Sequence, residues 1–533
     1  MQATAIPDID QHTFERRWMI LAVLCTSLLI VMLGNTSLNL ALPTLARDLG
    51  ASNSQQQWMV DAYSLVFAGL LFTMSSLGER FGRKGIMQLG LILFAAASAY
   101  AGIIATSPGE LIASRIVMGA AGAMIMPATL SILMNVFPRE ERAKAVAIWA
   151  GVAGGGGAIG MLITGFLLEH FSWSATFLIV LPIAIPSLIA GASIIPTSRD
   201  PDAGKLDLLG AVLSTAGLSA LVYSLIEAPI HGWTSVETIG LLVGGLALMA
   251  AFAAWELRTK SPMLDVRLFQ RPAFGVSALT LTLVFFTLMG LFFSVAQLFQ
   301  LVMGYGTFEA SLRMAPIPLF MMFASPLSPA MVKRLGKRRV VALGLAIVAG
   351  GILILATLDN NPTYLHVLAG MAVMATGMAM TMSPTTDLLM SAVPRTKAGM
   401  GSATNDTTRE LGGSLGVAVL GSIIASNYAS NLLPSLSGLS DVQRGAAQSS
   451  LGGAFGVAQQ IGGAQGAALL EAAQNAWMSG LSLAMFIGAA IVAVAAVIAF
   501  VAMPDKAHDD VEEFVLEEEG DNEFGLLAMG AAD

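Results

Sequence analysis

Charge is what this sequence has least of. Only 12% of its 533 residues are Asp, Glu, Lys or Arg, about half the share of a soluble chain, while 55% are hydrophobic. Cysteine is nearly absent. The single Cys25 lies inside the first apolar block, which excludes a disulfide framework and a thiol metal centre. The five histidines (His12, His170, His231, His366, His508) fall between or outside the apolar blocks with no ligand-like spacing, so no metal site is expected. No GxxxxGK[ST] phosphate loop occurs, so ATP does not drive the protein directly. No nucleophile–base constellation occurs either, and the chain does not read as an enzyme. No cofactor and no nucleic-acid partner are expected.

What the sequence has instead is long apolar blocks of about 18–25 residues, the length of a membrane-spanning helix. We place fourteen, near 18–41, 58–77, 86–106, 111–134, 145–168, 174–195, 207–226, 237–255, 275–302, 312–332, 340–357, 366–388, 402–425 and 477–503. They are too long for barrel strands, and in lipid the backbone must bond to itself, so they read as helices. Arg16 and Arg17 precede a first block too long for a signal-peptide core. With the N-terminus inside, about 22 of the 27 basic residues fall in inside segments, and only Arg47 and Arg444 fall outside. This predicts a multi-pass protein of the cytoplasmic membrane with both termini cytoplasmic. Residues 1–17 form the cytoplasmic N-terminus. The outside loop 426–476, rich in Gly, Ser, Gln and Ala, reads as mobile. The tail 504–533 reads as acidic and disordered: from Asp505 onward it holds 11 acids and one lysine, which leaves about +2 of the net −8 for the rest.

The chain repeats itself. ERFGRK (79–84) pairs with KRLGKR (333–338), FPREERAKA (137–145) with VPRTKAGMG (393–401), and GGAIG (156–160) with GGSLG (412–416), at offsets of 254 to 256. The spacing implies two related six-helix halves, 18–195 and 275–503, with an inserted helix pair at 207–255. Parallel halves of this kind are a transporter signature.

The residues then resemble a known family, the 14-helix drug:proton antiporter branch of the major facilitator superfamily (EmrB/QacA type). SLGERFGRKG (76–85) resembles the loop motif between its second and third helices, with Ser75 for a glycine and Glu79 for an aspartate. RIVMGAAGA (115–123) resembles the helix-4 motif built on an arginine. GGAIGMLITG (156–165) resembles the helix-5 antiporter motif through Gly156, Gly160 and Gly165, with Met161 in place of its proline. VMLGNTSLNLALPTL (31–45) resembles the first-helix motif LDNTVLNVALPTL, with Gly34 where the family has an acid. WMVDAYSLVFAGLL (58–71) and GSATNDTTRELGGSLGVAVLGSI (401–423) are similar to stretches typical of the branch. The resemblance implies an all-α integral membrane protein with the major facilitator fold. It implies proton-coupled export of amphipathic, cationic drugs or toxic small molecules by alternating access, with the proton gradient as the energy source. The partners expected are small-molecule substrates, protons and membrane lipids, and a monomer suffices. Two alternatives stay open: export of one endogenous lipid or secondary metabolite, and a transport-dead receptor or scaffold.

Site residues follow. A carboxylate inside the bilayer costs roughly 2.5–3.5 kcal/mol near its centre, so Asp61 is suited to taking up and releasing a proton. Asp387, in SPTTDLLM, is the second candidate acid. Arg115 cannot lose its proton and must find an acid, water or a carbonyl; in the family it is tied to proton coupling. Glu79, Arg80, Gly82, Arg83 and Lys84 make a charged inside turn, which the resemblance reads as a latch between the halves. Asn35 and Asn39 share a helix face and either line the substrate cavity or bond a neighbouring helix. Gln297 and Gln300 are further cavity candidates. The methionines and Phe285, Phe286, Phe292 and Phe293 could line an adaptable pocket or merely fill lipid-facing space. Gly155–Gly160 formally matches GxGxxG, but no strand precedes it, and the glycines read as helix packing. With Gly34 in place of the aspartate, a weaker preference for multiply charged cations is expected.

Overall fold

A computed structural model describes residues 11–198, 207–259, 262–393 and 398–505. The acidic tail from 506 onward lies outside the described residues, as do residues 1–10. Among the described residues the regular structure is entirely helical. The helices of the first half are α1 (Gln11–Asp48), α2 (Asn53–Phe81), α3 (Arg83–Ile103), α4 (Pro108–Val136), α5 (Arg139–His170), α6 (Ala175–Leu178) and α7 (Leu181–Ile194). The insert is α8 (Leu208–His231) and α9 (Val236–Glu256). The second half holds α10 (Pro272–Gln297), α11 (Thr307–Met314), α12 (Pro316–Ala324), α13 (Leu327–Leu335), α14 (Lys337–Ala356), α15 (Tyr364–Ser391), α16 (Ala398–Leu432), α17 (Asp441–Ser449), α18 (Leu451–Ile461) and α19 (Gly463–Ala502).

Eleven helices among the described residues are long and apolar enough to cross a membrane. The number is 13 if each of two bent pairs counts as one span. One pair is Asn53–Leu71 with Thr73–Phe81; the other is Thr307–Ala324 with Leu327–Leu335, bent by 44°. Pro326 lies in the second break and explains it, since it lacks an amide N–H and crowds the turn before it. In α5 the described apolar run is shorter, Ile159–His170.

Two large clusters make up most of the core. One cluster joins α1 to α4 through residues such as Leu28, Phe67, Phe94 and Ile125; a second joins α10, α14, α15 and α19 through Leu291, Val348, Met374 and Leu481. The repeated turns have the same geometry. Gly82 (φ +113) and Gly336 (φ +83) each cap the preceding helix, donating to Gly78 and Val332 carbonyls four residues back. Only glycine adopts that backbone without strain, which is why the repeat keeps a glycine at the fourth place of each basic turn. We call the end of the bundle that carries these turns the basic end.

The insert is not a bystander. α8 packs against α2 and α16, one helix from each half. Leu65, Val222, Ile226 and Ala418 form a small core between the three. Glu227 of α8 accepts from Ser54 and from the Trp58 indole of α2, and Ser422 of α16 donates to the Leu225 carbonyl at 2.6 Å.

The segment 426–476 differs from the mobile loop expected of its composition. α16 runs on to Leu432, α17 and α18 follow, and α19 begins at Gly463. Local capping explains it. Ser440 and Gln443 form a reciprocal capping box, Ser450 caps α18, and the Tyr428 hydroxyl donates to Ala447 at 2.7 Å. Gly and Ala here permit close packing, as where Gly452 meets Ala46 of α1.

Candidate functional site

A cavity of about 180 Å³ lies between the halves. Its wall is largely apolar. Six methionines (Met32, Met126, Met161, Met289, Met321 and Met382) reach it from six different helices, with Phe285 and Phe292 of α10. Thioethers are flexible and polarisable, so such a wall can adapt to ligands of different shape. Phe286 and Phe293 are buried in the cores instead.

The charge in the cavity comes from α16. Asp406, Arg409 and Glu410 all line it. Their i, i+3, i+4 spacing puts them on one helix face. Arg409 stands 3.8 Å from Asp406 and stacks over the Phe285 ring at 4.6 Å. Asn405 donates to Asp406 at 3.2 Å. Glu410 is within reach of the Ser64 hydroxyl of α2, across the interface between halves, and feels the charges of Arg409, Asp406 and Arg115. With two acids and one cation, the α16 face is net negative. The sequence reading does not single out these three residues. The available signal was their shared helical face in the span 402–425.

Asp61 sits one turn before Ser64 on α2 and is 0% exposed. It faces the Ser414 hydroxyl of α16, yet both carboxylate oxygens are buried without a well-formed hydrogen bond. Val60 and Ser64, its neighbours on α2, line the cavity. Asp61 therefore stands behind the cavity wall, beside Ser414 of α16, at the contact between halves.

Arg115 of α4 is 1% exposed. Its partners are carbonyls rather than an acid: Nε donates to Met59 at 2.8 Å and Nη1 to Gly34 at 2.6 Å, while the guanidinium lies 4.3 Å from the Tyr63 ring centre. Nη2 is buried and unpaired. Gly119, one turn further on, lets α4 approach the Tyr63 carbonyl so closely that a Cβ would lie 2.4 Å from it. The space beside Gly34 is taken by Phe94 of α3, whose ring tip would lie 2.6 Å from a Cβ. Position 34 thus looks toward α3, whereas Met32 looks into the cavity.

The other expected residues lie elsewhere. Asp387 is 68% exposed and ion-paired to Lys337 at 2.6 Å, within the second half. Near the helix end its carboxylate reaches water, so it does not join Asp61. The cavity wall does not include Asn39, Gln297 or Gln300. Asn39 is buried with its side-chain oxygen unpaired. Gln297 turns back on the Phe293 carbonyl, and Gln300 donates to the Leu40 carbonyl of α1 at 3.1 Å. The π turn Leu298–Val302 presents Gln300 to α1, so it ties the halves together. The side chain of Asn35 lies outside the described residues.

At the basic turn, the Arg83 amide donates to the Ser198 carbonyl at 3.0 Å and Lys84 Nζ to Ala192 at 2.7 Å, both in the first half. Arg80 lies over its neighbour Phe81. Glu79 is also engaged. The described contacts of Arg80, Arg83 and Lys84 thus stay among residues 80–198. The helix-5 glycines do bring elements together: a Cβ on Gly156 would touch Met32 of α1 at 3.0 Å, and one on Gly165 would strike Ser311 of α11. Gly160 is buried between them. Ties between halves gather at the end opposite the basic turns. Besides Gln300, Gln57 donates to the Val417 carbonyl at 3.2 Å, and the Phe308 amide to Glu169 at 3.4 Å.

A cavity set among long apolar helices suits a transporter, and comparisons with known proteins identify the family. The profile of the Major Facilitator Superfamily matches residues 24–417. The chain is 36% identical to the multidrug efflux pump LfrA of Mycolicibacterium smegmatis, over 92% of this chain and 97% of that one. It is 34% identical to the methyl viologen resistance protein SmvA of Salmonella typhimurium, over 88% of this chain and 95% of that one. Among solved structures, a bacterial homologue of the human lysosomal transporter Spinster, inward-facing and occupied, superposes with a TM-score of 0.63 at 18% identity, covering 91% and 96% of the two chains. The chain is a membrane transporter and belongs to the Major Facilitator Superfamily.

Proposed function

We propose that this protein is a proton-coupled antiporter that exports amphipathic, cationic small molecules across the cytoplasmic membrane by alternating access. The observation that carries the reading is the meeting of a methionine-lined cavity with the Asp406–Glu410 face, with the dry carboxyl of Asp61 behind the same wall. A cation in such a cavity is held by ionised carboxylates. A proton on the same carboxylates removes that attraction, so cation and proton compete for one set of oxygens. That competition is the chemistry an exchange cycle needs. The names of the relatives, an efflux pump and a resistance protein, favour export as the direction.

The topology we infer has fourteen spans, α5 among them, with both termini cytoplasmic, as the basic loops require. In that frame the ties at Gln57, Gln300 and Glu169 close the outside, and the cavity serves the cytoplasm. An outside proton loads the Asp61–Ser64–Glu410 region once those ties open, and it discharges inside as the next cation binds. A monomer with its surrounding lipid contains all the groups this cycle uses.

The test is transport by the purified protein in liposomes, with ethidium as an amphipathic monocation. An imposed pH gradient should drive its movement, and Asp61→Asn should abolish that while leaving ethidium binding in place. Movement that survives Asp61→Asn would remove Asp61 from coupling. No movement of any cation under any gradient would favour a receptor instead.

A further inference from the structure

The insert carries a buried acid that the cavity does not use. Glu256 ends α9 and is 3% exposed. Its Oε2 accepts the Leu264 amide at 3.2 Å, and the Met263 amide also faces the carboxyl. Its Oε1 is buried with no hydrogen-bond partner. The carboxyl faces Asp207, the N-cap of α8, whose Oδ2 is likewise buried and unpaired. Asp207 Oδ1 is already engaged, accepting the Gly210 amide and the Trp255 indole, each at 2.8 Å. A Cβ on Gly210 would lie 2.5 Å from Glu256 Oε1 and 2.6 Å from Asp207 Oδ2. The two free oxygens therefore crowd a single point, and glycine leaves them room.

Two carboxylates that close and that dry cannot both stay ionised. Among the described residues, α8 presents Asp207 to Glu256, α9 presents the neutral Trp255, and the linker after α9 presents only backbone amides. Among the described residues no cation stands between them. We propose that Asp207 and Glu256 share one proton, held between Oδ2 and Oε1, and form a proton site separate from the central cavity. The site has a mechanical consequence. Through the Leu264 amide Glu256 grips the linker that leads into α10, and Met263 and Leu264 pack on the core of the first half. Loss of the proton sets the carboxylates against each other and loosens that anchorage, so the tether between halves becomes sensitive to pH at the basic end.

The purified full-length protein tests this in two ways. The infrared spectrum of wild type minus Glu256→Gln should show the carbonyl band of a protonated carboxyl at neutral pH, fading as pH rises. Thermal unfolding from about pH 6 to about pH 9, above the ordinary carboxylate range, gives the second readout. The native state keeps a proton there that the unfolded chain has released, so wild-type stability should fall as pH rises. Glu256→Gln places a permanent N–H donor toward Asp207 and should flatten that fall. Asp207→Asn keeps the helix cap and should flatten it too, which covers the case in which one variant fails to fold. An unchanged pH profile in the folded variants, or a difference spectrum without the carboxyl band, overturns the proposal. A wild-type fall abolished by added Na⁺ or K⁺ overturns it in favour of a bridging cation.

Discussion

The two halves hold their charge in opposite ways. On α2 and α4 of the first half, Asp61 and Arg115 are dry and have no acid–base partner: Asp61 has two unpaired oxygens, and Arg115 spends its donors on the carbonyls of Met59 and Gly34. On α16 of the second half, Asp406, Arg409 and Glu410 line the cavity and neutralise one another in part. A partnerless buried charge is held only by the fold around it, so it responds strongly when the packing changes. A mutually paired set in a cavity responds instead to whatever enters the cavity. The first arrangement suits a group whose protonation must track the conformation. The second suits a group that must recognise a ligand.

The comparison breaks most severely at Arg115. Arg115→Ala removes two charged hydrogen bonds, to the Met59 and Gly34 carbonyls, and leaves a cavity beside Tyr63. Hydrogen bonds to a charged group contribute about 1.5–3 kcal/mol each, so a fall of about 3 kcal/mol or more in stability is expected, with transport lost. Thermal unfolding of the purified variant measures the first and liposome uptake the second. Arg115→Lys should recover part of the stability, because one ammonium reaches one carbonyl but cannot span both.

Glu410→Gln comes next and acts at the cavity wall. Removing one carboxylate charge from a partly wet cavity, at a separation of about 4 Å and an effective dielectric near 20, forfeits about 4 kcal/mol of attraction before solvation is counted. The observed loss in affinity for a monocation should be about 10- to 100-fold, and a neutral amphipathic ligand should bind as before. Equal losses for both, measured by fluorescence titration, would show that Glu410 shapes the cavity and does not read charge.

These residues also show what the sequence could tell. The helices and the basic turns were legible, because a block of about 20 apolar residues and a repeated glycine turn admit few other structures. Asp61 and Arg115 were legible as buried charges for the same reason. The direction in which a side chain looks was not. Gly34 and Met32 are two residues apart on one helix, yet one faces Phe94 and the other the cavity. Gln300 is polar and intramembrane, and it spends its amide on the α1 backbone. In a helix that is apolar all round, no hydrophobic stripe marks the inner face, so rotation about the helix axis is left to tertiary packing. Asp406 and Glu410 went unread because their span is the most polar of the fourteen, and charges there did not stand out.

Gly34→Asp sharpens the comparison from the first half. The new Cβ must displace the Phe94 ring, an overpacking that costs typically 1–3 kcal/mol. The carboxylate would lie on the Arg115 side, since Arg115 already bonds the Gly34 carbonyl, and would offer the unpaired Nη2 a partner. A changed dependence of transport on the pH gradient is therefore expected, with little gain in affinity for dications. A large gain for methyl viologen over ethidium would instead place position 34 at the ligand.

The smallest effect is expected at Asp387, and its smallness is informative. Asp387 and Asp61 look alike in the sequence, each a lone acid near the end of an apolar span. Asp387, however, is 68% exposed and faces Lys337 at 2.6 Å. An exposed pair of this kind contributes about 0–1 kcal/mol, because water already solvates both charges and ordering two side chains offsets much of the attraction. Asp387→Asn should thus lower stability by less than about 1 kcal/mol, and by less again at high salt, which screens the pair. Gradient-driven transport should stay within about twofold of wild type by the same estimate. A full loss of transport in Asp387→Asn would mean that this end of α15 dries out in another state of the cycle, and that the asymmetry between halves belongs to one conformation alone.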